Sequence, residues 1–283
     1  MDTVKRKKML YVTNARLPTE KAHGLQIVKS CEAFARWVDV MLVYPTRRQD
    51  NPMLQDISVW EYYGVPSTFS LKELTTPDLL WPFLSPQLQF PFFGIQSLLF
   101  AWRAVRFVQR HVFDILYTRD AYTALLFSFS AMPYVYEAHD FWETTLGSAW
   151  QKRVCKRAQR VITNTDYLRQ KFVAEFGLPP DRVLTARNGV DLAAVGVFRG
   201  DLADVRRSLN IPEGAKVVVY TGHLYPWKGV YVLLQSMSVL PDEYHLVLVG
   251  GMLADVERLR EYVRSRGLTN VHLVGHVPPA QLD

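Results

Sequence analysis

Cysteine is nearly missing: only Cys31 and Cys155 stand in 283 residues. Two thiols build neither a disulfide framework nor a four-thiolate zinc site, and so few suit a reducing compartment. A clean membrane-spanning run is missing too. Residues 79–102 carry no charge, but Pro82, Pro86, Pro91 and Gly94 interrupt them and Gln87, Gln89 and Gln96 dilute them. A lipid-exposed spanning helix is therefore not expected there. The stretch reads as an apolar loop leading into a helix, either core or surface patch. Lys5, Arg6, Lys7 and Lys8 make a basic start, but Asn14 and Arg16 follow at once, so no secretory signal is read. No internal repeat of fixed short period occurs.

Several sequence signatures are absent as well. Neither G-x-x-x-x-G-K-[ST] nor G-x-G-x-x-G occurs, which excludes a P-loop and weighs against a dinucleotide oxidoreductase. G-x-S-x-G and H-E-x-x-H are also missing. His272 and His276 are four apart, but a strand and Gly275 lie between them, so they share no helical face. Aromatic and basic residues do not alternate as in a nucleic-acid surface, and no nucleic-acid partner is expected.

What remains is a globular composition, 49% hydrophobic and 21% charged with net charge +6. That excludes a disordered chain, a collagen-like fibre and a coiled coil. A single core stops growing at about 250–300 residues, so one large domain or two ordinary ones fit. Charge divides the chain. Residues 1–190 hold 24 basic and 17 acidic side chains, residues 191–283 hold 9 and 10. The basic excess of the first part suits an anionic substrate or an anionic membrane surface, or is a plain solvated face.

Short apolar runs alternate with helical spacing. Strands are expected at Met9–Thr13, Val38–Tyr44, Ile57–Tyr62, Ile115–Thr118, Tyr134–Glu137, Val161–Asn164 and Val183–Ala186. Helices are expected at Leu25–Trp37, Ile95–Arg110 and Asp166–Phe176. Continuous apolar strands between helices mean an α/β doubly wound parallel sheet. After Asn188-Gly189 a second series begins. A helix at Asp201–Leu209 comes first, then strand, helix, strand, helix and strand at Val217–Thr221, Val230–Leu240, His245–Val249, Asp255–Arg266 and Val271–Val274. This is one βαβαβ half of a doubly wound domain. Two domains are expected, 1–190 and 191–283, the second about half present, with a marginally stable 196–283 segment.

Ligands of open α/β sheets bind beyond the carboxyl ends of the strands. Three strand-to-helix junctions carry candidates there. In Thr221-Gly222-His223-Leu224-Tyr225-Pro226-Trp227-Lys228-Gly229, a helix start at Gly229 offers free N–H groups and Lys228 adds a full charge. Together they suit a pyrophosphate, and a plain surface loop is the alternative. Between Thr13 and Gly24 a long loop ends at another helix start, flanked by Lys21 and His23, whose N–H groups could face a polar ligand; taken alone, Gly24 reads first as a plain turn residue. His139 follows the strand Tyr134–Glu137 and could hold a sugar hydroxyl or share developing charge, though such a histidine is often structural. Glu137, Asp140 and Glu143 are close in sequence, without a sign that two of them form an acid/base pair.

The order of these pieces resembles the GT-B glycosyltransferases of family 4. The resemblance rests on Asn14 to Gly24, Tyr136–Asp140, Val161–Leu168, Asn188-Gly189-Val190-Asp191, Gly222…Trp227-Lys228-Gly229 and Leu248-Val249-Gly250-Gly251. It implies two facing Rossmann-like domains with a cleft, and a retaining, metal-independent transfer of sugar from a nucleotide-sugar donor to an acceptor hydroxyl. No cofactor is implied, since the nucleotide sugar is a co-substrate. By the same resemblance Lys228 lies on the donor diphosphate and His139 beside the transferring sugar. Gly24 approaches donor phosphate and acceptor, Gly250 follows the second strand of the donor side, Gly275 lies near the nucleobase, and Asn188 to Asp191 cross between domains. Two departures stand out. His223 occupies a position often held by arginine, and a neutral imidazole holds a diphosphate less well than a guanidinium fork. The family's paired glutamates, seven residues apart, belong to the half-domain not expected here. A truncated non-catalytic binding protein, a nucleotide-sugar epimerase or a phosphorylase of the same architecture are the rival readings. The basic first part and the apolar stretch Leu79–Trp102 suit a sugar or lipid-linked acceptor. The expected location is the cytoplasm, with peripheral contact at the anionic inner membrane face.

Overall fold

Apolar runs too short for helices become parallel strands, and the helices between them cover the two faces. The computed structural model describes residues 5–49, 51–80, 86–192 and 200–281, and the chain forms two compact units, 1–190 and 191–283. In the N-terminal unit the elements run β1 (Lys8–Val12), α1 (Ala22–Ala35), β2 (Asp39–Pro45), α2 (Val59–Tyr63), β3 (Ser70–Leu74), α3 (Pro86–Val108), β4 (Ile115–Thr118), α4 (Ala121–Phe127), β5 (Val135–Ala138), α5 (Thr145–Arg157), β6 (Arg160–Thr163), α6 (Asp166–Phe176) and β7 (Val183–Thr185). Among the described residues the strands make one sheet in the order β3-β2-β1-β4-β5-β6-β7, parallel throughout.

The period of two along β1 sorts the core. Met9 and Tyr11 pack with Ile27, Val28, Tyr62 and Tyr63 of α1 and α2. Leu10 and Val12 pack with Phe100, Phe127, Val154 and Phe172 from α3 to α6. The winding reverses between β1 and β4, and a ligand crevice is expected beyond the carboxyl ends of those strands.

Two expectations are corrected. Ile57–Tyr62 is not a strand. Ser58 caps α2, its side chain accepting from the Glu61 amide at 3.1 Å, and Tyr62 and Tyr63 bury on one side. The edge strand is Ser70–Leu74, whose polar Ser70, Lys72 and Glu73 hid it from a search for apolar runs. The second correction concerns the charge-free stretch. Residues 81–85 lie outside the described residues, but from Pro86 onward the chain is already helix, running through Pro91 and Gly94. Proline removes one backbone donor near the start of a 23-residue helix, which the remaining bonds outweigh.

The C-terminal unit runs α7 (Leu202–Ser208), β8 (Lys216–Thr221), α8 (Val230–Met237), β9 (Tyr244–Val249), α9 (Leu253–Ser265) and β10 (Val271–Gly275). Asp201 caps α7 as expected, accepting from the Ala203 amide. Its strands make a parallel sheet, β10-β9-β8. Leu246 and Leu248 pack under Val230, Leu234, Val256 and Leu259 of α8 and α9. Val247 packs with Ile211 and Ala215 on the other face.

Candidate functional site

In the N-terminal unit the candidate site grows from a carboxylate in the middle of the sheet. Glu137 of β5 is buried on the α1 face. Its Oε2 accepts from the hydroxyls of Tyr117, at 2.8 Å, and Tyr11, at 3.2 Å. Its Oε1 lies 2.6 Å from Nε2 of His139. Burial pushes the Glu137 pKa up, but the bonds from His139 and Tyr117 and the nearby Arg119 outweigh it and hold the carboxyl below its usual range. Burial first, and then the Glu137 charge, push both tyrosine pKa values up, so the two hydroxyls stay donors. With Glu137 ionised, the proton of a neutral His139 sits on Nε2. Nδ1 is left as the acceptor, 3.4 Å from Nδ2 of Asn164 at the end of β6.

Two further side chains come from neighbouring strand ends. Arg119, after β4, donates to Gln26 Oε1 at 3.0 Å, and Gln26 in turn donates to Asn188 Oδ1 at 2.6 Å. Arg119 forms no ion pair among the described residues. Burial, with the charges of Arg119 and Lys21, pushes the His23 pKa down to about 4, so this imidazole is neutral at neutral pH. Gly24 lies in the first turn of α1 and is buried. A Cβ there would sit 2.1 Å from the Tyr63 hydroxyl and 2.5 Å from Thr19 Cγ2. That hydroxyl is itself fixed, accepting from the Thr19 amide at 2.9 Å and donating to its carbonyl at 3.0 Å. What approaches Gly24 on its Cβ side is the chain's own tyrosine.

In the C-terminal unit the ends of β8, β9 and β10 are laced together. Gly222 donates to the Val249 carbonyl at 2.9 Å, and Gly250 to the Gly275 carbonyl at 2.6 Å. A Cβ on Gly250 would lie 2.4 Å from the Gly222 carbonyl oxygen. All three have positive φ, 134° at Gly222, 109° at Gly250 and 85° at Gly275, so glycine is required for this ledge. Beyond it His223, Tyr225 and Trp227 stack, with ring centroids 4.9 and 4.5 Å apart. His223 Nδ1 is buried without a hydrogen-bond partner among the described residues. Lys228 is exposed. Gly229, φ 80°, starts α8, and no side chain caps that helix. A lysine beside an uncapped helix N-terminus has the positive charge and free N–H groups to hold an anion.

The structure thus gathers Gly222, Gly250 and Gly275 on one ledge, with His223, Lys228 and Gly229 in the loop leaving it. It ties His139 to Glu137 and Asn164. Sequence reasoning gave no role to Arg119, Gln26 or Asn164, although Arg119 and Asn164 follow strands just as His139 does. It passed over Glu137 because it sought a pair of carboxylates rather than one carboxylate under a histidine. Among the described residues no group of three or more His, Cys, Asp or Glu is arranged to hold a metal ion.

The profile of Glycosyltransferase Family 4 matches residues 31–194, and that of Glycosyl transferases group 1 matches residues 202–283. The chain belongs to glycosyltransferase family 4. This family-4 chain is 31% identical, over 134 residues, to a D-inositol 3-phosphate glycosyltransferase of Mycolicibacterium gilvum, a match covering 43% of the chain and 30% of that relative. The chain spans about a third of the length of the curated relatives it matches. Among solved structures it is similar to Anabaena HepE in complex with UDP-glucose, with TM-score 0.68 and 16% identity over 96% of this chain and 69% of the other. It is similar also to a putative UDP-N-acetylglucosamine 2-epimerase from Listeria monocytogenes, TM-score 0.60 and 11% identity, over 97% and 70%. These likenesses show the GT-B fold, which transferases and epimerases share; the family profiles favour the transferase.

Proposed function

We propose that this chain handles donor and acceptor in a retaining, metal-independent glycosyltransferase that moves a sugar from a nucleoside-diphosphate sugar to an acceptor hydroxyl. The observation that carries the reading is the C-terminal ledge of Gly222, Gly250 and Gly275 beside Lys228 and the uncapped start of α8. Bare backbone at strand ends admits a nucleotide closely. The ammonium and the helix dipole supply the positive charge that a departing diphosphate needs, in the role a metal ion plays elsewhere. UDP-glucose is the first donor to test, because HepE is similar in fold and was solved with it.

In the N-terminal unit, His139 is the group proposed to touch the transferring sugar. Glu137 orients its ring, and Asn164 steadies the far side. Arg119 offers a second cation for an anionic acceptor, which agrees with the phosphorylated inositol named for the curated relatives. We place the reaction in the cytoplasm, with the N-terminal unit in peripheral contact with an anionic membrane and a sugar or lipid-linked hydroxyl as acceptor. The test is UDP titration and sugar transfer with Lys228→Ala. Loss of one key electrostatic donor costs roughly 2–4 kcal/mol of transition-state stabilisation, and UDP binding weakens at least tenfold. Unchanged UDP affinity and turnover in that variant would remove Lys228 from the mechanism.

A further inference from the structure

Helices of α/β proteins turn their apolar side inward, and α3 does so with Phe100, Ala104 and Val108 but carries a second apolar side outward. Gln96 and Ser97 are buried, while Phe90 is 77%, Ile95 50% and Trp102 54% exposed, with Leu98 and Leu99 beside them. The inward polar groups are tied. Ser97 Oγ accepts from Asn14 at 2.9 Å, and Gln96 Oε1 accepts from the Leu79 amide at 2.9 Å. Turning the helix to hide Trp102 breaks both bonds. The outward surface becomes basic toward the carboxyl end of the helix, with Arg106 exposed, Arg110 exposed just past it, and Arg103 exposed while donating to the Thr75 carbonyl. None of the three is in an ion pair among the described residues, and Arg106 lies over the Trp102 ring at 5.9 Å. The layer continues the pattern past α4 and into α5. Phe129 is exposed with Arg153 stacked 3.8 Å over its ring, and Trp150 is exposed as well.

We propose that the outward face of α3 docks flat on an anionic lipid bilayer, its apolar half entering the interface and its arginines lying over lipid phosphates. This deepens the membrane side of the transferase reading and rests on it only for its purpose. Two observations favour a bilayer over a protein partner. Exposed apolar side chains run into arginines that form no ion pair among the described residues, along one helix about 34 Å long, which suits an apolar layer topped by anionic headgroups. Residues 1–190 carry the whole basic excess of the chain. Ser97, on the inward side midway along α3, is held by Asn14 just past the end of β1, so the docked helix runs near the carboxyl end of that strand.

The test is co-sedimentation of the 283-residue chain with vesicles of phosphatidylcholine alone and of phosphatidylcholine with phosphatidylglycerol, at low and high salt. Binding is expected to the anionic vesicles only and to fall with salt. Arg106→Gln and Arg110→Gln each lower the partition coefficient about fivefold. Ile95→Ser with Trp102→Ser lowers it at least tenfold, by an estimate of roughly 25 cal/mol per Å² of apolar area no longer buried. Unchanged circular dichroism and melting of these surface variants certify their fold. Absence of vesicle binding, binding indifferent to all four substitutions, or a dimer in sedimentation equilibrium that Trp102→Ser dissociates would overturn the proposal. UDP titration of the same variants reads the transferase proposal separately, since none of these residues belongs to the donor ledge.

Discussion

Glu137 shows how one residue changes meaning between sequence and structure. In the sequence it is one of three nearby acids. In the fold its two oxygens receive two tyrosine hydroxyls and an imidazole, so a buried charge is fully hydrogen-bonded rather than stranded. His23 carries the pH prediction for this region. Its folded pKa of about 4 lies below the unfolded value. Between those two values the unfolded chain binds the proton and the folded chain does not. Stability therefore rises with pH across this window and is lost as pH falls from about 6.5 toward 4. Urea melts at pH 7, 5.5 and 4.5 should show the decline, and His23→Gln should flatten it. An unchanged slope in that variant would assign the acid sensitivity elsewhere. Glycines divide by neighbour in the same way. Gly250 is required because another backbone lies against it, and Gly24 because a tyrosine does.

Among elements, β8 is an exposed apolar edge. It pairs with β9 on one side only, among the described residues, and Val218 and Val219 are exposed along it. An apolar edge strand with open backbone groups invites pairing with other chains. A charge there is the usual remedy, so Val219→Lys should lower light scattering on incubation at 37 °C with little change in melting temperature; equal scattering would acquit the edge. The same contrast explains the elements that were hard to read. Strands buried on both faces announce themselves as apolar runs, as β1, β2 and β9 do. The half-exposed β3 has no apolar run to announce it, and the short capped helix α2 reads as a strand, because two buried tyrosines after a serine cap look like a β-rich segment until the cap is seen to bond.

At the scale of the whole molecule the two units differ in how much core they own. The N-terminal unit buries both faces of its sheet under helices, whereas the C-terminal unit buries one face well and leaves β8 open. Native-state hydrogen exchange should find the slowest amides in β1 and β4, and β8 to β10 exchanging at lower denaturant. Slower exchange in β8 to β10 than in β1 would contradict this ranking. The alternation of apolar runs and amphipathic stretches sufficed to determine a parallel α/β fold of two series, and the order of short motifs sufficed for the family. Both are local properties of the chain, carried by side-chain period and by glycine at strand ends. What only the tertiary structure decided are meetings between distant residues. Tyr11 and Glu137, or Gln26 and Asn188, touch across more than a hundred positions because the winding brings their strand ends to one edge. The orientation of α3 belongs to the same class. Composition records how apolar a helix is, and the packing of Phe100, Ala104 and Val108 together with the bonds of Gln96 and Ser97 settles which side faces water.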